Sequence, residues 1–231
     1  TNGTGGYMLV KFIAGERLIM ERNPNYWREG LAHFDTIEQI AILDPAARQN
    51  ALVTGEVDII NRPDRKTWKR LGAMKGIDVV KVNAMLHRTW PMRIHVPPFD
   101  NVDVRLALKY AVDREELVDK VLNGTGSVGN DHPISPVNKF YNTELPQRVY
   151  DPDKAKFHLK KAGMENLEVT LSTSEAIWEG ALDAALLYSE SARKAGIRLN
   201  VNKVPNDGYW VNVWRKDNHP FASCYWSGRP T

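Results

Sequence analysis

The chain has 231 residues, 42% hydrophobic and 26% charged, with a formal net charge of +3 and an isoelectric point near 8.9. That length supports one large domain or two small ones, and the composition is ordinary for a globular chain. The slight basic excess is spread along the sequence, which argues against a nucleic-acid surface; no window is apolar for long enough to span a bilayer; and one cysteine, Cys224, allows no internal disulfide.

Residues 1–7, Thr1-Asn2-Gly3-Thr4-Gly5-Gly6-Tyr7, read as a glycine-rich turn before a hairpin. They lack the pattern of a signal peptide, and no Gly-Lys-Ser/Thr follows that would make them a phosphate-binding loop. Residues 8–13 and 17–22 predict two strands around Ala14-Gly15-Glu16, and 37–42 predict a third. Asp44-Pro45 predicts a helix start, with Asp44 as cap and proline at the first helical position, and Gly55 a stop. Short strands are expected at 56–60 and 77–82, with a helix opening at Arg62-Pro63-Asp64 between them. Residues 84–96 read as extended, and Pro97-Pro98 ends that run because proline gives no ladder hydrogen bond.

The stretch 96–122 organises the chain. Asn101 or Asp103 is expected to cap a helix with Val104, Leu108 and Ala111 on one face. Asp113 starts a second helix carrying Leu117, Val118 and Val121. Residues 127–150, with Pro133, Pro136 and Pro146, predict an irregular excursion. Asp151-Pro152 opens a helix that Gly163 closes, with His158 expected in solvent among lysines. A strand at 167–172, a helix at 181–195 and a strand at 197–204 predict a parallel β-α-β unit, the helix burying Leu182, Ala185, Leu186, Ser189 and Ala192. Residues 209–216 predict a short helix and 221–226 a final strand.

Ligands of open parallel sheets sit beyond the carboxyl ends of the strands, which singles out residues 172–179. There Trp178 offers a rigid platform, with packing on its own helix as the alternative, and Ser174 and Glu175 offer polar contacts. Trp90 and Arg93, in the extended segment, are weaker candidates. His87 and His95 fit no standard metal-ligand spacing, so neither metal nor cofactor is expected. No catalytic motif with a serine, cysteine, metal or phosphate-loop signature occurs, and no repeat or heptad pattern. Residue patterns thus disfavour a hydrolytic enzyme most and a structural or interaction module next; what favours a binding protein over both is the resemblance that follows.

Several ordered phrases resemble one family. They are Asn2-Gly3-Thr4-Gly5 with Tyr7; Arg22-Asn23-Pro24 with Tyr26-Trp27; Asp44, Arg48, Ala51, Leu52 and Gly55-Glu56-Val57-Asp58; the run Pro97-Pro98-Phe99-Asp100-Asn101-Val102 to Val118; and Tyr150-Asp151-Pro152 to Ala162-Gly163. Together they resemble the family 5 extracellular solute-binding proteins of ABC transporters, with Gly6 standing where that family usually has proline. The resemblance implies an α/β, periplasmic-binding-protein-like fold of type II with two lobes. It implies a fragment: residues 1–84 from lobe one, 85–95 the crossing, and 96–231 most of lobe two. It implies a small solute (a peptide, an opine or another carboxylate), ABC permease subunits as partners, no nucleic acid, and a periplasmic or membrane-anchored extracytoplasmic setting. A fragment with uncovered strands is expected to self-associate. The resemblance also points to Trp226-Ser227-Gly228-Arg229, where many peptide-binding relatives carry W-x-x-D. Arg229 stands at the aspartate position, an inverted charge that favours a carboxylate over an ammonium; an outward-turned or internally paired Arg229 is the alternative.

Overall fold

The computed structural model describes residues 3–61, 63–82 and 85–228. Arg229, the first two residues of the opening turn, Arg62 and Ala84 lie outside the described residues. The chain divides into two compact units, Thr1–Ile77 and Asp78–Thr231.

The first unit holds an antiparallel sheet in the order β1 (Tyr7–Ile13), β2 (Arg17–Arg22), β3 (Thr36–Ile40). Gly15 turns the β1–β2 hairpin at φ 75, a conformation that costs glycine nothing. An irregularity between Leu9 and Lys11 shifts the β1 register. Helix α1 (Pro45–Val53) starts as expected, with the Asp44 carboxylate accepting from Ala47 N at 2.7 Å. A 3-10 turn (Arg65–Thr67) runs into the short helix α2 (Trp68–Gly72). The strand expected at 56–60 does not form. Its apolar residues have no neighbouring ladder, and Ile59 is exposed. The strand expected at 77–82 fails for the same reason, with Val80 and Val82 exposed.

In the second unit, only Leu86–Thr89 of the expected extended segment is a strand, β4; residues from Arg93 turn back, with Val96 N donating to Arg93 O. Helix α3 (Val102–Tyr110) is capped by Asn101, whose side chain accepts from Asp103 N at 2.8 Å. Helix α4 (Arg114–Leu122) is capped by Asp113. Helix α5 (Pro152–Ala162) is capped by Asp151 and ends at Gly163, φ 68. His158 is not in solvent. It lies on the α5 face against α3, its Nδ1 2.8 Å from Asp103 Oδ1, because Lys161 and His158 together satisfy a carboxylate that α3 buries.

The parallel pair β5 (Glu168–Thr173) and β6 (Arg198–Lys203) is connected through α6 (Ala181–Arg193). Helix α6 buries Ala181, Ala184, Ala185, Tyr188, Ser191 and Ala192. The face is therefore rotated from the expected one: Leu186 is half-exposed, while Tyr188 is buried, stacked on Trp90 and bonded to the Leu108 carbonyl. Tyr188 donates to Leu108 O at 2.8 Å, and burial pushes its hydroxyl far up. The helix at 209–216 shortens to α7 (Tyr209–Asn212), and the last strand to β7 (Cys224–Ser227). Strand β7 pairs antiparallel with β4, and a single parallel bridge, Ser172 to Ala222, joins this segment to β5. The main core lies among α3, α5, α6 and the parallel pair, around Val104, Leu108, Leu159, Leu171 and Tyr188.

Candidate functional site

A second core cluster sits at the carboxyl ends of β5 and β6: Ile177, Trp178, Ala181, Tyr209, Val213 and Ala222. It forms where the 174–180 loop after β5, α7 after β6 and the segment leading into β7 meet. Buried polar groups hold the floor. Ser223 Oγ donates to Thr173 Oγ1 at 2.8 Å, and the Tyr209 hydroxyl, driven up by burial, donates to Ser223 O at 2.8 Å.

Over this floor stands a wall of aromatic rings. Trp210 meets Tyr225 at 5.7 Å and Trp214 at 6.2 Å, and Trp214 meets Trp226 at 6.4 Å, all edge to face. Trp226 is 50% exposed and Trp210 42%. Two indoles held in place by other rings, yet open to solvent, present flat apolar faces with little entropy left to lose on binding.

The predicted residues divide around this wall. Trp226 lies on it, and Ser227 follows at the exposed end of β7, paired with Leu86. Trp178 is 8% exposed and packs beneath as a core side chain, with the Arg88 guanidinium 5.4 Å from its ring centre. Ser174 is buried and donates to Asn206 Oδ1 at 2.8 Å, fastening the 174–180 loop to the 206 turn. The Glu175 carboxylate accepts from Gly180 N at 2.8 Å and Leu182 N at 2.9 Å, capping α6. Trp90 stacks on Tyr188 at 4.8 Å and donates to Ser223 Oγ at 3.1 Å. Arg93 pairs with Asp217, whose carboxyl His95 and then Arg93 hold below the usual range. These five residues build the platform on which the wall stands. Arg229 lies outside the described residues. Sequence reasoning missed Trp210, Trp214 and Tyr225. The strand-end rule that singled out 172–179 applies equally to the segment after β6, and would have found the first two.

The same unit contains a serine–histidine contact, Ser172 Oγ to His219 Nδ1 at 2.8 Å. The serine is buried in the sheet and accepts from Asn202 Nδ2 at 3.1 Å, so the contact ties β5 to the 219 turn. Among the described residues there is no group of three side chains suited to a metal ion, and no helix long and apolar enough to cross a membrane.

All 231 residues match the description of bacterial extracellular solute-binding proteins, family 5, middle region. The chain belongs to this family. It is 29% identical to heme-binding protein A of Haemophilus influenzae over 71% of this chain and 30% of that protein. It is 28% identical to the glutathione-binding protein GsiB of Pectobacterium atrosepticum over 86% of this chain and 38% of that one. Among solved structures, the periplasmic binding protein DppA of Helicobacter pylori, in complex with the peptide STSA, superposes with a TM-score of 0.83. That likeness, at 24% identity over 98% of this chain and 43% of the other, shows the fold. The family 5 chain has the fold of the two-lobed periplasmic binding proteins and spans roughly a third of the length of the curated relatives it matches.

Proposed function

We propose that this chain is part of the substrate-binding component of an ABC importer, which captures a peptide-like or carboxylate-bearing small solute between two lobes and delivers it to the membrane permease. The observation that carries the reading is the half-exposed pair Trp210 and Trp226 at the carboxyl ends of the parallel strands. The relatives named for heme, glutathione and a peptide all take solutes that carry carboxylates. In sequence, Arg229 follows the wall, and a guanidinium there favours an acidic solute over a peptide held by its ammonium end. On this reading residues 1–84 belong to lobe one, 85–95 to the crossing and 96–231 to lobe two, in an extracytoplasmic protein.

Calorimetric titration of the full chain with dipeptides, glutathione and acidic opines tests this. Saturable binding of carboxylate-rich solutes, weakened about tenfold or more by Trp226→Ala, is expected. Tight binding of ordinary peptides, unchanged by Arg229→Ala, would contradict the preference for acidic solutes. No binding by any of the three classes would contradict the function.

A further inference from the structure

A cleft of about 380 Å³ opens in the second unit beside the parallel pair, lined by Thr170, Ser172 and Asn202 and by Pro97, Pro98 and His219. Strand alternation explains the polar part of this lining. Val169, Leu171 and Leu199 turn into the core, so Glu168, Thr170 and Ser172 of β5 and their register partners Arg198, Asn200 and Asn202 of β6 share the opposite face. All of these opposite-face side chains are polar. No residue of the aromatic wall lines the cleft.

The turns at 97–99 and 218–220 are tied together. Arg93 N donates to Pro220 O at 2.8 Å, Arg93 pairs with Asp217 at 2.5 Å, and the Phe99 and Phe221 rings lie 5.4 Å apart. The hydrogen bonds along the strands then fix what the cleft offers. Asn202 Nδ2 donates to Ser172 Oγ at 3.1 Å, and Ser172 Oγ lies 2.8 Å from His219 Nδ1. The proton of the buried Ser172 hydroxyl has His219 Nδ1 as its acceptor, which puts the imidazole proton on Nε2. The His219 Nε2–H is thus a donor, Asn202 Oδ1 an acceptor and the Thr170 hydroxyl both. None of the three is hydrogen-bonded to another described residue.

Donors and acceptors in one small space select hydroxyl groups, each of which gives and takes a hydrogen bond. An anion meets the Asn202 carbonyl oxygen and the Glu168 carboxylate, both in the lining. A cation finds that carboxylate already shared between Arg198 at 3.2 Å and Asn200 Nδ2 at 2.8 Å. Pro97, Pro98 and Pro220 bring apolar ring surface to the same cleft, and the C–H face of a sugar ring buries against such surface. The volume lies at the small end of ligand sites, which run from about 300 to 1,000 Å³.

We propose that this cleft binds a neutral sugar, one pyranose ring laid on Pro97 and Pro98 with its hydroxyls bonded to Thr170, Asn202 and His219. The site is separate from the aromatic wall and does not depend on the solute-binding reading above.

The test is an NMR titration of the full chain with methyl glucoside and methyl galactoside, against cyclohexanol and sodium acetate, following the histidine ring and tryptophan indole signals. The His219 ring signals are expected to shift saturably with at least one glycoside. They should stay in place with acetate, and with cyclohexanol, which has a six-membered ring but a single hydroxyl. The His158 ring and the Trp226 indole should stay in place throughout. Thr170→Val is expected to weaken glycoside binding about fivefold or more, and Thr170→Ser to keep it within about twofold. The Thr170 hydroxyl bonds no described residue, so the melting midpoint of Thr170→Val should not fall, which separates lost binding from lost folding. The absence of a saturable His219 shift with either glycoside, or unchanged affinity in Thr170→Val, would overturn the proposal. So would glycoside shifts confined to the Trp210 and Trp226 indoles, or saturation of the His219 signals by cyclohexanol or acetate as readily as by the glycosides.

Discussion

The two units contain similar apolar strands and use them differently. In the second, β5 places Val169 and Leu171 under α6, and the core closes around Leu108, Leu159 and Tyr188. In the first, β1 runs Tyr7-Met8-Leu9-Val10-Lys11-Phe12-Ile13, yet Leu9 is 62% exposed and Phe12 64%. The ladder register puts Leu9, Met20 and Ile37 in one row and Phe12 and Leu18 in the next, forming an apolar face that is incompletely covered. Only Ala51 and Leu71 are buried apolar side chains in this unit among the described residues. A strand's sequence thus states that it has an apolar face, but what covers that face is a property of the remaining structure. The candidate site stands on the unit that buries its own apolar surface, which is what a rigid binding wall requires.

The contrast can be broken most forcefully in the second core. Leu108→Ala is expected to cost about 2–5 kcal/mol, because it empties a fully buried position, and Trp178→Ala about 3–5 kcal/mol, because that ring packs under the aromatic wall. Urea unfolding read through the tryptophan signal checks both. A Trp178→Ala chain of unchanged stability but lost solute affinity would return Trp178 to the ligand surface.

Acid should act next, and on the second unit. The Asp103 carboxyl is held below its usual range by hydrogen bonds from His158 and Lys161. Its folded-state value therefore lies below the unfolded one of about 3.9. The stabilisation is complete above that unfolded value and is lost as the pH falls through the folded one. Asp103→Asn should lower stability at neutral pH, where this stabilisation is complete, and flatten the acid limb of a stability-against-pH curve. An acid limb of unchanged slope would show that the α3–α5 contact does not depend on this charge.

The smallest effect belongs to the first unit. Phe12→Ala should alter stability by no more than about 0.5 kcal/mol, since the side chain has little burial to lose. The same change should reduce any concentration-dependent association in sedimentation, because it removes part of an exposed apolar face. A loss as large as that of Leu108→Ala would mean that Phe12 is buried in solution.

How far the sequence could be read follows the same division. Local chemistry was legible: Asp44, Asn101, Asp113 and Asp151 cap the helices they precede, and the parallel pair around α6 forms where the β-α-β pattern placed it. Contacts set at long range were not. The strands expected at 56–60 and 77–82 have β-forming residues but no neighbour to pair with. His158 looks solvated along α5 and is claimed by Asp103, 55 positions earlier. At the candidate site, the motif drew attention to Trp226 as a candidate, whereas Trp210, Trp214 and Tyr225 form a wall only once α7 and β7 are brought together. Ser174, Glu175 and Trp90 spend their hydrogen bonds within the chain, on Asn206, the start of α6 and Ser223.

Native-state hydrogen exchange over the full chain tests the central claim, that the second unit is the self-supporting scaffold of the site. The amides of Val169–Leu171 and Leu199–Val201 should exchange only through global unfolding, and those of Leu9–Phe12 through local openings several kcal/mol less costly, on the order of half the global value or lower. Equal protection in the two sheets, or faster exchange in the parallel pair than in β1, would contradict it.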